Sequence, residues 1–186
     1  MAPTEQAVFR LTGFDGFDNL RSFREPVPEP SAGEVLVKVR GVALNYRDVA
    51  IANSTYPFPV KDNVVPCSDM AGEVVAVGPE TELFKSSSGL AVGDAVLAPI
   101  SPSFLYGSHD KRKDLIASAW GGGRQDGVLR EYIAIPSHAL VKLPPCETSR
   151  DFVQWAATVG TVSTVWNAFY GNTPLKPGDT VLVLGM

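Results

Sequence analysis

GEVLVKVRGVAL, from Gly33 to Leu44, sets Val35, Val37 and Val39 on one side of an extended chain and Leu36 and Lys38 on the other. Such alternation is the signature of a strand, because successive side chains of a pleated chain point to opposite faces. Working outward, AGEVVAVG at 71–78 reads as a second short strand closed by glycine. LAVGDAVLAPI offers a turn at Gly93-Asp94 and then a strand over Ala95–Ile100. GVLREYIAIP divides Val128, Arg130 and Tyr132 from Leu129, Glu131 and Ile133, and HALVKLP follows at once. Short strands punctuated by Gly and Pro predict a barrel or sandwich, mainly β to about residue 145.

The texture changes after Pro144-Pro145. In TSRDFVQWAATVG, residues Phe152, Trp155, Ala156 and Val159 form an i, i+3, i+4, i+7 face, with Thr148 or Ser149 as N-cap and Asp151 in the first turn. TVSTVWNAFYG repeats the helical pattern through Val162, Val165, Trp166 and Phe169 and ends at Gly171. After the turn PLKPGD, the apolar run 180–184 reads as a buried strand leading to Gly185. Helices feeding such a strand mark the start of α/β architecture. The division expected is 1–147 for the β domain and 148–186 for the connecting helices and the first strand of a second domain.

Composition narrows the function classes. The chain has 186 residues, 45% apolar and 19% charged, with 15 Pro and 17 Gly, as expected of a turn-rich globular domain. A net charge of −4 gives no basic footprint for nucleic acid. No apolar run reaches the ~20 residues that span a bilayer, so no membrane partner is expected. MAPTEQAVFR has no apolar core of signal-peptide length, and Cys67 and Cys146 form no CxxC pair. The expectation is a soluble, cytoplasmic protein.

VALNYRDVAIANSTYP at 42–57, VVPCSDMAGEVVAVG at 64–78, GGGRQDGVLREYIAIP at 121–136, AATVGTVSTVWNAFYG at 156–171 and KPGDTVLVLG at 176–185 stand in one order. Together they resemble the medium-chain dehydrogenase/reductase superfamily over nearly the whole chain. That resemblance implies a GroES-like, partly open β-barrel with short helices, followed by the beginning of a Rossmann domain that binds NAD(P). A dinucleotide site needs a glycine-rich turn, a helix and a second strand. Gly185 is the first candidate for the turn, so the chain is expected to lack most of the cofactor site and to be inactive alone. A homodimer is the expectation for the full-length form.

In zinc-dependent members of this family the metal is held by a Cys, by the His of a Gly-His-Glu motif, and by a residue near the start of the Rossmann region. The resemblance sets Asn45 at the Cys position, Cys67-Ser68-Asp69 where Gly-His-Glu would stand, and Val159 or Gly160 at the third. None offers the thiolate or imidazole that tetrahedral zinc requires, so no zinc is expected. The pattern resembles the zinc-free, quinone oxidoreductase-like branch, which passes hydride from NADPH to quinones, enones or related carbonyl compounds. A small-molecule substrate of that class is the partner implied.

The same resemblance supplies site candidates, each with a plainer alternative. Asn45 would set an amide near the nicotinamide or the substrate oxygen, or simply form a turn. Tyr46 and Tyr56 offer phenols for proton donation or stacking, or pack as core. Arg47 could clamp an anionic group or pair with Asp48 or Asp69, and these two carboxylates could support the site from behind or bond backbone. Thr164, or Ser163 beside it, would reach the nicotinamide carboxamide, or bond a helix carbonyl one turn back. Cys67 and Ser68 complete the pocket wall, with Cys67 expected as a buried, unreactive thiol. WGGGRQDG lacks the strand–loop–helix context of a phosphate cradle and is expected as a flexible turn.

Overall fold

The computed structural model describes residues 3–79, 89–104 and 118–184. KSSSG, apart from Gly89, most of the SPSFLYGSHDKRKDLIASAW stretch, and Gly185 lie outside these residues. Among the described residues, seven strands and two α-helices follow in chain order: β1 Glu5–Leu11, β2 Leu20–Pro26, β3 Glu34–Ala43, α1 Tyr46–Ala52, β4 Asp69–Val77, β5 Ala95–Ala98, β6 Tyr132–Pro136, β7 Val141–Lys142 and α2 Ser149–Tyr170.

The strand predicted from GEVLVKVRGVAL lies inside a five-stranded antiparallel sheet of order β6-β3-β4-β5-β7. Alternation alone leaves Leu36 facing solvent, yet Val35, Leu36 and Val37 are all buried. A central strand covered on both faces hides both of its residue sets. Val35 and Val37 pack with Met70, Val74, Val96 and Ile135 into the main core.

β1 and β2 form a separate ribbon in which Val8 faces Phe23. The stretch 129–131 stitches this ribbon to the larger sheet. Phe9 N–H donates to Leu129 O at 3.0 Å, Glu131 N–H donates to Ala7 O at 3.1 Å, and Val39 N–H donates to Glu131 O at 2.9 Å. The result is the expected partly open β-barrel.

The C-terminal region departs from its pattern in two ways. The two predicted helices are one, Ser149–Tyr170, continuous through Gly160. Thr148 is the N-cap: its side chain accepts from Asp151 N–H, while the Asp151 carboxylate accepts from Thr148 N–H at 2.8 Å. This reciprocal pair satisfies two donors that a helix start otherwise leaves open. Phe152 and Ala156 bury against Ala71, Ala95 and Leu143, as the first helical face predicts. Val162, Val165 and Trp166, on the second, are exposed. Residues 181–184 form no strand, and Leu182, Val183 and Leu184 are about four-fifths exposed. An isolated apolar run gains strand geometry only from a partner strand, and none of the described residues supplies one. No helix among the described residues is long and apolar enough to cross a membrane.

Candidate active site

Asn45 stands between β3 and α1 and caps the helix, its N–H donating to the Asp48 carboxylate at 2.8 Å. That helix turns the Asn45 amide toward the start of β4, where Nδ2 donates to Asp69 Oδ2 at 3.0 Å. The same oxygen accepts from Gly160 N–H at 3.0 Å, and Asp69 Oδ1 accepts from the Ser68 hydroxyl at 2.6 Å. Ser68 and Asp69 are each 1% exposed. Three segments far apart in sequence, at 45, 68–69 and 160, therefore converge on one buried carboxylate. Burying a carboxyl group is costly unless its oxygens are hydrogen-bonded, and here an amide, a hydroxyl and a backbone N–H bond them.

Gly160 is the unexpected member of this cluster. A Cβ there would stand 2.6 Å from Asp69 Oδ2. The missing side chain, read in sequence as supplying nothing, is what lets the helix backbone reach the carboxylate.

Asp48 ties α1 to the next segment, because its Oδ1 accepts from Cys67 N–H at 3.1 Å. Burial pushes the Asp48 carboxyl above its ordinary range, opposed by the N–H donors of Asn45 and Cys67 and by Arg47 nearby. Burial also pushes the Cys67 thiol well above its usual range, and the Asp48 charge adds to the shift. Cys67 is buried, and its φ of 68° lies in the left-handed region that disfavours a side chain. Its carbonyl accepts from Val128 N–H at 3.0 Å, and Gly127 approaches so closely that a Cβ would overlap that oxygen.

Arg47 pairs with neither Asp48 nor Asp69. Its Nη2 donates to Trp120 O at 2.6 Å, and its guanidinium lies over Gly122. The WGGGRQDG stretch forms a turn, as expected, and the turn is largely buried. Trp120, Gly121, Gly122 and Gly123 are buried beneath Arg47 and the Cys67 segment. Sequence reasoning also passed over Asp126, which gathers Arg10 at 3.2 Å, Lys61 at 3.0 Å and Val65 N–H at 3.0 Å. No pattern within GGGRQDG announces that hub, since Arg10, Lys61 and Val65 are remote in sequence and only Arg130, at 3.7 Å, is local.

The remaining candidates are distributed around this cluster. Tyr46 is 82% exposed beside Asn45, whereas Tyr56 packs with Leu11 and Ile51, edge-on to Phe58 at 5.5 Å, away from the carboxylate. Thr164 Oγ1–H donates to Gly160 O at 2.6 Å and Ser163 Oγ–H to Val159 O, the plainer of the two roles weighed for them. Both also line an apolar cleft between the end of β5 and α2, with Leu97, Ile100, Val162 and Trp166. Their oxygens keep lone pairs for a donor lying in that cleft. A second cleft at the start of α2 is remote from the carboxylate; its charges are already matched, Arg40 to Glu73 and Lys142 to Asp94, each at 2.8 Å.

Residues 31–145 match the family described as the alcohol dehydrogenase GroES-like domain. A zinc-type alcohol dehydrogenase-like protein of Schizosaccharomyces pombe is 36% identical over 173 residues, which cover 91% of this chain and 46% of that protein. A trans-enoyl reductase of Penicillium oxalicum is 32% identical over 161 residues, 84% of this chain and 37% of the reductase. The crystal structure of a candidate alcohol dehydrogenase from Sinorhizobium meliloti 1021 superposes with a TM-score of 0.76 at 27% identity, covering 92% of this chain and 47% of that one. The chain spans about half the length or less of the relatives it matches.

Proposed function

This chain belongs to the medium-chain dehydrogenase/reductase family through its alcohol dehydrogenase GroES-like domain, and from that membership we propose that it forms the catalytic-domain side of a zinc-independent, NADPH-dependent reductase. Its substrates on this reading are enones, quinones or related carbonyl compounds, and the trans-enoyl reductase relative is the reason to favour an activated double bond.

The observation that carries the proposal is the Asp69 carboxylate with its three donors. The positions where a zinc-dependent relative would hold metal are filled by an amide, a hydroxyl and a backbone N–H, all turned onto one carboxylate. That donor set does not suit zinc, which takes thiolate, imidazole or carboxylate in a tetrahedral array. The zinc-type name of the S. pombe relative describes that protein; at Asn45, Ser68 and Gly160 this chain argues for a different class. No step of the reaction is routed through a metal.

The residues present do fit a nicotinamide. Thr164 uses its hydroxyl proton on Gly160 O, leaving the oxygen to accept from a carboxamide N–H, and Ser163 beside it is disposed alike. Asn45 spends one amide proton on Asp69 and keeps the other for a substrate oxygen as negative charge develops there. Tyr46, exposed next to it, is the proton donor in this scheme. Leu97, Ile100 and Trp166 give the cleft an apolar wall. NADPH, when bound, supplies the hydride. On this reading a nucleotide-binding domain receives its pyrophosphate, and turnover requires that domain.

Two experiments test the proposal. Calorimetric titration of this chain with NADPH and NADH should give no saturable binding, and tight binding would show that the site needs no further domain. In the active protein that contains these residues, Asn45→Ala and Thr164→Ala should lower kcat at least about tenfold while changing NADPH affinity less. Unchanged turnover in both variants removes them from the site.

The exposed Val162, Val165, Trp166 and Leu182–Leu184 favour a second reading, a non-catalytic scaffold that offers an apolar surface. Self-association without turnover in the longest available form of the protein would support it.

A further inference from the structure

β2 leaves one edge of the β1–β2 ribbon open over its central residues, Ser22 to Arg24. Phe9 N–H donates to Leu129 O, Leu11 N–H to Val64 O, and Ala7 O accepts from Glu131 N–H. Odd-numbered residues of β1 therefore turn their backbone groups away from β2, and even-numbered residues toward it. Since Val8 faces Phe23 in the antiparallel register, Arg21, Phe23 and Glu25 direct their backbone groups to β1. Ser22 and Arg24 then direct theirs outward; at the ends of the strand Leu20 N–H is taken by Phe17 O and Pro26 has no N–H. Every residue of β2 except Glu25 is exposed, and no strand among the described residues pairs with that edge.

The charges along the edge are unbalanced within one chain. Arg21 lies directly opposite Arg10. Arg10 holds Glu25 through two bonds, at 2.5 and 3.0 Å, and Asp126 at 3.2 Å. Arg21 has no ion-pair partner among the described residues. Like charges facing each other across a ribbon are unfavourable, and Arg21 has no acid of its own to offset Arg10.

We propose that β2 is an interface for a second copy of this chain, pairing antiparallel with the partner's β2 about a twofold axis through Phe23. In that register Ser22 exchanges backbone bonds with the partner's Arg24, and Arg24 with the partner's Ser22, so the outward groups of both residues are satisfied. Arg21 falls opposite the partner's Glu25, and symmetry repeats the pair. The two Phe23 rings, each 40% exposed, meet on the axis. Neighbouring registers fail: an axis on Arg24 sets two guanidinium groups face to face, and an axis on Ser22 sets Arg21 against phenylalanine. A self-complementary patch is what a twofold dimer requires. Two seven-residue strands bury less than a permanent dimer does, so the dissociation constant is on the order of 100 μM. This inference does not depend on the catalytic reading.

Sedimentation of the full chain across that concentration range should show a monomer–dimer equilibrium. Arg21→Glu, which sets two acids against each other twice over, should weaken it at least about tenfold. Phe23→Cys reads the register. Residues on the axis face each other as a non-hydrogen-bonded pair with Cα atoms about 4.5 Å apart, within the span of a disulfide. Under air, Phe23→Cys should form a covalent dimer. Ser22→Cys, displaced by two residues from its own copy, should not; nor should the parent chain, in which Cys67 is buried and the partly exposed Cys146 is replaced by serine in every sample. A chain monomeric throughout, equal cross-linking of the two cysteine variants, or a dimer indifferent to Arg21→Glu would each overturn the proposal. The last would move the interface elsewhere, for instance to the exposed face of α2.

Discussion

Replacing Gly160 by alanine should destabilise the protein, against the usual preference of a helix interior. Ordinarily Gly→Ala within a helix is worth about 1 kcal/mol of added stability. Here the new Cβ would stand 2.6 Å from Asp69 Oδ2, and the carboxylate cannot simply turn away because Ser68 holds its other oxygen at 2.6 Å. Displacing it weakens the bonds from Gly160 N–H and Asn45 Nδ2, both at 3.0 Å and both to a charged acceptor. Such bonds contribute about 1.5–3 kcal/mol each, so losing one to two of them exceeds the helical gain and leaves a net loss of about 2 kcal/mol. Urea unfolding followed by tryptophan fluorescence measures this, provided the slope with denaturant stays constant. The decisive comparison is a double-mutant cycle. In an Asp69→Ala background the clash is gone, and Gly160→Ala should then stabilise by about 1 kcal/mol, a coupling of about 3 kcal/mol. Stabilisation of the otherwise unmutated protein by Gly160→Ala would refute the contact.

Two further predictions follow from other parts of the cluster and from the ribbon. At Cys67, with φ of 68°, Cys67→Val should cost more than about 2 kcal/mol, because a branched side chain resists the left-handed region, whereas Cys67→Gly should stay within about 1 kcal/mol as relief of backbone strain offsets lost packing; equal losses would show that this strain is unimportant. The hydrogen bond from Arg10 holds the Glu25 carboxyl below its ordinary range, and Thr148 N–H does the same for Asp151. A carboxyl depressed by folding contributes stability that is present above its unfolded value, near pH 4, and is lost as pH falls through the folded one. Unfolding free energy should therefore decline below about pH 4, and Glu25→Gln should flatten that decline; a profile unchanged in the variant would count against the Arg10–Glu25 contribution.

The sequence disclosed most where local chemistry decides structure. Alternation in GEVLVKVRGVAL predicted β3, and Thr148 with Asp151 predicted the start of α2. Gln6 shows why β1 escaped notice: it is a polar residue at a fully buried position, satisfied by Tyr132 N–H at 2.8 Å from across the barrel. The glycine at 160 looked like a helix end because its acceptor, Asp69, lies 91 residues away. Val181–Leu184 looked like a strand because apolar runs usually are strands, but strand geometry depends on neighbours that the run itself does not encode. In the site, the motif order brought 45, 68–69 and 160 under consideration together. What it left open was that the Asp69 carboxylate joins them, because that depends on distances between groups on three separate elements.

Zinc content tests this most directly. Protein produced with excess zinc, desalted and analysed by elemental mass spectrometry should retain far less than one zinc per chain, because Asn45, Ser68 and Gly160 supply no thiolate or imidazole and are already bonded to Asp69. One zinc per chain, lost on Asp69→Asn substitution, would contradict the account and return the site to the metal-dependent class.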